Sequence, residues 1–98
     1  MISVIFGEKG AGKTKRIIDI ANETNITAKG SMVFIDDDNQ YMFDLKHSIR
    51  FIDASEYHID TPKMFFGFVS GIAAQDFDLE YMFIDGFLKI VRHPLDTL

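Results

Sequence analysis

Residues 7 to 14 read Gly-Glu-Lys-Gly-Ala-Gly-Lys-Thr, and no other stretch of the chain constrains its fold as tightly. The run before it, Met1 to Phe6, is short and apolar and predicts a strand. The run after it, Thr14 to Glu23, is compatible with a helix. Glycine at 7, 10 and 12 lets the chain curl with no side chain in the way, so that backbone N–H groups converge on a small volume. The free N–H groups at the start of the helix add a positive dipole end. That convergence suits a phosphate. Lys13 would add a point charge between the β- and γ-phosphates, and Thr14 a hydroxyl for a hard cation such as Mg²⁺.

The rest of the composition limits what else the chain can be. Ninety-eight residues make one domain, and 47% hydrophobic content with ten phenylalanines is enough for a core. No apolar run is long enough for a membrane span, and residues 1 to 6 lack the charged and then apolar pattern of a secretory signal. The absence of cysteine removes disulfides and thiolate metal sites and fits a cytoplasmic location. The net charge of −5 argues against a general nucleic-acid surface. Lys9, Lys13, Lys15 and Arg16 nevertheless gather positive charge at the glycine loop, while the acids lie later, at Asp36 to Asp38 and at Asp76, Asp78 and Glu80. A basic spot on an acidic molecule suits a compact anion.

Along the chain, the pattern predicts a first strand over residues 2 to 6, apolar on both faces as in a central parallel strand. A helix follows from about Lys13 to Asn22, with Ile17, Ile20, Ala21 and Thr24 on its inner face and Ile18 beside them. Asn25 to Gly30 reads as a turn. Ser31 to Ile35 reads as a second buried strand ending in a turn-forming Asp36-Asp37-Asp38-Asn39 cluster. Residues 40 to 48 are compatible with a short helix, and Ile49 to Ile52 with a short strand. Thr61-Pro62 reads as an N-cap with proline at the first helical position, opening a helix to about Ala74. Gly67 and Gly71, four apart, are expected to pack closely against a sheet. Tyr81 to Ile84 is a further apolar strand ending at Asp85-Gly86, and Phe87 can begin a helix that His93-Pro94 interrupts. Strands alternating with helices give an α/β class with a parallel sheet, in which ligands sit at the carboxyl ends of the strands. The glycine loop, Asp36 to Asp38 and Asp85 all fall at such ends.

Tyr81-Met82-Phe83-Ile84-Asp85 has four apolar residues and then an aspartate, about 70 residues after the loop. A buried strand of this kind delivers one carboxylate beside a metal; an ordinary strand ending in an Asp-Gly turn has the same pattern. Val33-Phe34-Ile35-Asp36 has that shape too, and Asp36 and Asp38 lie 23 and 25 residues after Lys13. Those two aspartates read either as a solvated turn or as a second acidic element of the site.

Together the loop and the later strand resemble the Walker A and Walker B elements of the P-loop NTPase superfamily. The first 25 residues carry the match; beyond them it is architectural apart from Asp85. The resemblance implies a three-layer α/β fold around a parallel sheet, small or truncated relative to that superfamily, and binding of ATP or GTP with Mg²⁺. It implies that Gly7, Glu8, Lys9, Gly10, Ala11, Gly12, Lys13 and Thr14 hold the phosphates, that Lys13 is the catalytic cation, and that Thr14 and Asp85 serve the metal. Asp36 and Asp38 resemble the acidic pair of small-molecule kinases of the shikimate kinase type. Gly86 stands where many ATPases of the superfamily carry a water-polarising glutamate; Asp36, Asp37, Asp38 and Glu56 are the candidate replacements. The absence of an Asn-Lys-x-Asp motif favours ATP over GTP. Arg50, Arg92 and the three histidines, His47, His58 and His93, are expected at the surface.

Three functions stay open on this basis: a slow ATPase, a small-molecule kinase, and a non-catalytic nucleotide-sensing module. A sheet of three or four strands with two helices leaves an edge and part of an apolar face uncovered. Burying that surface favours self-association or further C-terminal chain, at about 25 cal/mol per Å² of apolar area.

Overall fold

A computed structural model of the chain describes residues 1 to 91. It comprises β1 (Ser3–Gly7), α1 (Ala11–Thr27), β2 (Ser31–Asp36), β3 (Ile49–Asp53), α2 (Pro62–Gln75), β4 (Leu79–Asp85) and α3 (Phe87–Ile90), with 3₁₀ turns at Met42–Asp44 and Ala54–Tyr57. The four strands form one sheet in the order β1-β4-β2-β3, and every pairing is parallel. No helix among the described residues is long and apolar enough to cross a membrane.

Two apolar layers hold the helices to the sheet. On one face Ile17, Ile18 and Ala21 of α1 pack on Met32, Phe34, Ile49 and Phe83. On the other, Phe65 of α2 and Ile90 of α3 pack with Val33, Ile35, Met82 and Ile84. Successive β2 residues point to opposite faces and all of Met32 to Ile35 are buried, as both-face burial of a central parallel strand requires. The rings of Phe34 and Phe83 stack at 6.1 Å across neighbouring strands beneath α1.

Several expectations change. The first strand is not central: β1 forms one edge and pairs only with β4 among the described residues. Its Ile5 packs toward α1, while Val4 and Phe6 are exposed on the other face, where Phe87 of α3 meets the Phe6 ring edge-on at 5.9 Å. Four of the ten phenylalanines, Phe6, Phe43, Phe66 and Phe77, are exposed. The first helix begins two residues earlier than expected, and at its other end it runs on to Thr27 through residues that read as a turn. Polar side chains on either side of the expected helix end are engaged elsewhere. Asn22 bonds the backbone of Asp44 and Lys46, and Asn25 accepts from Ser48 Oγ, so both pin the β2–β3 connection to the helix instead of ending it. The inner face of α1 is Thr14, Ile17, Ile18 and Ala21, an i, i+3, i+4, i+7 stripe; Ile20 is exposed.

At α2 the expected cap is present. Thr61 Oγ1 accepts from the Met64 N–H at 3.1 Å, with Pro62 at the first turn. Gly67 and Gly71, in contrast, do not pack against the sheet; both are exposed, and a Cβ on either would meet nothing within 4 Å among the described residues. The β4 strand carries an irregularity near Glu80, whose carboxylate accepts the N–H groups of Lys29 and Gly30 and so fixes the entry into β2. Gly30 is required there because a Cβ would run into the Asp78 carbonyl oxygen. His47, His58 and Arg50 are exposed as expected; Arg92, His93 and Pro94 lie outside the described residues.

Candidate phosphate and cation site

Strand register sets the geometry of the rim. Gly7 lies opposite Asp85, Ile84 opposite Ile35, and Asp36 opposite Asp53, so all four strands end at one level. The glycine loop, Asp36 to Asp38 and Asp85 therefore stand on one side of the sheet. Asp36 is fully buried, which excludes the solvated-turn alternative for that residue; Asp37 is largely covered and Asp38 about half exposed.

Lys9 reaches into this acidic group. Its ammonium donates to Asp36 Oδ1 at 2.7 Å, lies 2.9 Å from Asp37 Oδ1 and 3.7 Å from Asp38 Oδ1, and stands 4.0 Å from Asp85 Oδ2. The Tyr41 ring flanks it at 5.4 Å. Lys13 points elsewhere: it is exposed and its ammonium donates to the exposed Glu8 at 2.9 Å. That pair raises Lys13 and lowers Glu8 from their ordinary values, through the hydrogen bond first and charge attraction second.

One ammonium cannot neutralise this many carboxylates. Burial pushes the Asp36 carboxyl up to about 7, with the neighbouring Asp37 carboxyl adding to the rise and Lys9 opposing it. Asp37 is held below its usual range: burial opposes this, but the hydrogen bonds of Asp36 and Lys9 to the charged form prevail. Burial also raises Asp85, while the adjacent Thr14 hydroxyl and the charge of Lys9 pull it down. Both Asp85 oxygens, Asp36 Oδ2 and Asp37 Oδ1 are buried without a well-aligned hydrogen-bond partner among the described residues, the Lys9 ion pair of Asp37 Oδ1 apart.

The loop is open toward solvent. Among the described residues a Cβ at Gly10 or Gly12 would meet nothing within 4 Å, whereas one at Gly7 would press on Ile17 and on Asp85 Oδ1. No side chain among the described residues caps the α1 N-terminus, which leaves its first N–H groups to an incoming acceptor. Thr14 is buried beneath the loop, where its hydroxyl accepts from the Gly10 N–H at 3.3 Å. Beside the loop lies a cleft of about 470 Å³, whose lining includes Glu8, Lys9 and Lys13 and the apolar Phe6, Phe87 and Leu88. Gly86 turns the chain out of β4 at φ 75°, a left-handed conformation natural to glycine, and its N–H donates to the Gly7 carbonyl.

These residues fit a phosphate-bound cation: an open glycine cradle, a free helix end, and buried carboxylate oxygens lacking partners stand side by side. Glu56, a candidate base in the sequence, is exposed on the 3₁₀ turn after β3. The sequence does not point to Lys9 among the aspartates, although three successive acids closing a buried strand signal that some cation must face them. In comparisons with known proteins, no family model, no curated protein and no solved structure matches the chain.

Proposed function

We propose that this protein binds a nucleoside triphosphate, ATP in preference to GTP, together with Mg²⁺, in the manner of a P-loop NTPase. The observation that carries the reading is the pairing of β1 with β4. It sets Gly7, the start of the glycine loop, opposite Asp85, a buried carboxylate with no aligned partner among the described residues. In this reading the N–H groups of the loop and of the first turn of α1 bind the β- and γ-phosphates, and Lys13 swings from Glu8 to add its charge. Thr14 and Asp85 hold the metal, which when bound draws charge from the phosphate oxygens. Turnover is slow, on the order of unassisted GTPase rates or below, because Gly86 follows Asp85 and supplies no carboxylate to orient water. Titration calorimetry with ATP, GTP and ADP, with and without Mg²⁺, followed by a turnover assay, tests this. No heat of binding with any nucleotide, or many turnovers per second without a partner, overturns it.

A small-molecule kinase is the second reading, and Asp36 favours it. That carboxyl sits on the same rim and is pushed up to about 7 by burial, so it can exchange a proton near neutrality with an acceptor hydroxyl. The two readings part at one comparison: Asp85→Ala weakens Mg²⁺-dependent binding more than Asp36→Ala if the β4 aspartate serves the metal, and the reverse order supports the kinase.

A further inference from the structure

We propose that Asp36, Asp37 and Asp38, with Asp85 beside them, form a divalent-cation site for which the Lys9 ammonium is a built-in competitor, so that Lys9 must leave these carboxylates for the metal to enter. The cation exchange stands on the carboxylates alone; its coupling to phosphate, argued below, rests on the nucleotide reading.

The acids come from two different strands. One Asp36, one Asp37 and one Asp38 oxygen lie within 4.8 Å of one another at the end of β2, and Asp85 arrives from β4. An ammonium has three protons to give, against the eight oxygens of four carboxylates. Among the described residues, Asp36 Oδ2 and both Asp85 oxygens are accordingly left buried without aligned partners, and these two side chains are the fully buried acids. A hard divalent cation takes six or more oxygens at shorter range than the 2.7 and 2.9 Å contacts that Lys9 makes here, so it can serve the oxygens that Lys9 leaves over. It cannot do so beside a lysine 4.0 Å or less from each aspartate, because a dication and an ammonium in one buried pocket repel.

Lys9 has a second place to go. It belongs to the glycine loop and lines the cleft beside Lys13, with its side chain 12% exposed and so at the boundary between pocket and cleft. A phosphate-rich anion in that cleft offers the ammonium a new partner at the moment the carboxylates lose it. Metal and phosphate each remove the obstacle to the other, and linkage makes the effect equal in both directions.

The test is Mn²⁺ binding followed by electron paramagnetic resonance, on the wild-type chain and on Lys9→Met and Lys9→Arg, each with and without a non-hydrolysable ATP analogue. Lys9→Met should bind Mn²⁺ at least tenfold more tightly than wild type in the absence of nucleotide, and Lys9→Arg should stay near wild type. The analogue should tighten Mn²⁺ binding by a larger factor in the wild type than in Lys9→Met, where only direct ligation of the metal by its phosphates remains. Equal Mn²⁺ affinity of Lys9→Met and wild type without nucleotide overturns the proposal. So does Mn²⁺ binding to neither protein. A tenfold gain in Lys9→Met with no nucleotide binding in any protein upholds the exchange and overturns only the nucleotide reading. Should Lys9→Met not fold, the wild type answers by nuclear magnetic resonance: the Lys9 Cε and Nζ signals, assigned from the Lys9→Arg spectrum, should move toward free-lysine values as Mg²⁺ is added, and signals unmoved at 50-fold excess Mg²⁺ overturn the exchange.

Discussion

Gly7 and Asp85 end neighbouring strands at the same level, and the missing side chain of the one makes room for the carboxylate of the other. A Cβ on Gly7 would stand 3.1 Å from Asp85 Oδ1 and 2.5 Å from Ile17 Cδ1. The isoleucine methyl is the end of a flexible chain and can turn aside; Ile17 Cβ, at 3.3 Å, and the buried carboxylate set by β4 have less freedom. Gly7→Ala is therefore expected to destabilise the fold by about 1–3 kcal/mol, the usual cost of overpacking. It should also move Asp85. Urea unfolding measures the first effect, and the change in Mg²⁺ affinity measures the second. An unchanged midpoint and affinity would mean that the two strand ends are looser than their register implies.

The other glycines separate by the same argument. Gly67 and Gly71 lie exposed within α2 with open space where a Cβ would be, so alanine there should stabilise the protein by up to about 1 kcal/mol each through helix propensity. Gly30→Ala should do the opposite, by about 1–3 kcal/mol or more on the scale of overpacked sites, because its Cβ meets the Asp78 backbone, which cannot rotate away. Chemical denaturation of the three variants gives the order directly. A stabilising Gly30→Ala, or a destabilising pair on α2, would contradict the packing described.

How far the residue order alone discloses this arrangement depends on the range of the interaction involved. Local signals serve well: the loop between β1 and α1, the Thr61-Pro62 start of α2, and the apolar runs of β2 and β4 all lie where their residue patterns place them. Long-range pairing is invisible to such signals. Nothing in Met1 to Phe6 distinguishes a central strand from an edge; β1 is at the edge because β4, some seventy residues later, takes the place between it and β2. Polar residues mislead where their partners are remote, as at Asn22 and Asn25, whose side chains are held by the chain between residues 44 and 48. Glycine spacing misleads at Gly67 and Gly71 because a repeat of four marks one helix face without saying whether that face is covered. At the site, the residue types and their common rim are legible in the sequence. The partner of each charge is not: Lys13 pairs with Glu8, and Lys9 takes the aspartates.

Lys13 offers the cleanest separation of binding from folding. Its side chain is exposed, and its ionic partner among the described residues, Glu8, is exposed as well. Such a surface pair contributes little to stability. Lys13→Ala should leave thermal unfolding unchanged while lowering nucleotide affinity by roughly 10- to 100-fold, the loss of one charge-assisted contact of about 1.5–3 kcal/mol. Calorimetric titration beside a circular-dichroism melt tests both halves. Undiminished ATP binding by this variant would remove the phosphate site from the glycine loop.

The pH dependence of stability follows from the crowding of carboxylates at the rim. Burial first, and the Asp37 carboxyl second, push Asp36 up to about 7, whereas in the unfolded chain it titrates near its ordinary value of 3.8. Between those two values the native state keeps a proton that the unfolded state has released. Raising the pH across this window therefore favours unfolding, and stability falls from about pH 4 to about pH 7 before levelling. Asp85, also raised by burial, acts in the same direction. Asp37 has a lowered value, so its contribution is present above the ordinary aspartate range and is lost only on acidification below it. Lys9 is raised by its Asp36 and Asp37 hydrogen bonds against the burial that opposes them, so its contribution holds throughout the window and is lost only in strong alkali. Urea midpoints should accordingly be higher at pH 5 than at pH 7.5. Asp36→Asn should remove most of that difference, because the amide carries no charge at either pH, and leave the smaller part due to Asp85. A wild-type midpoint that instead rises between pH 5 and pH 7.5 would mean that Asp36 is ionised throughout and that Lys9 neutralises it more fully than the distances imply.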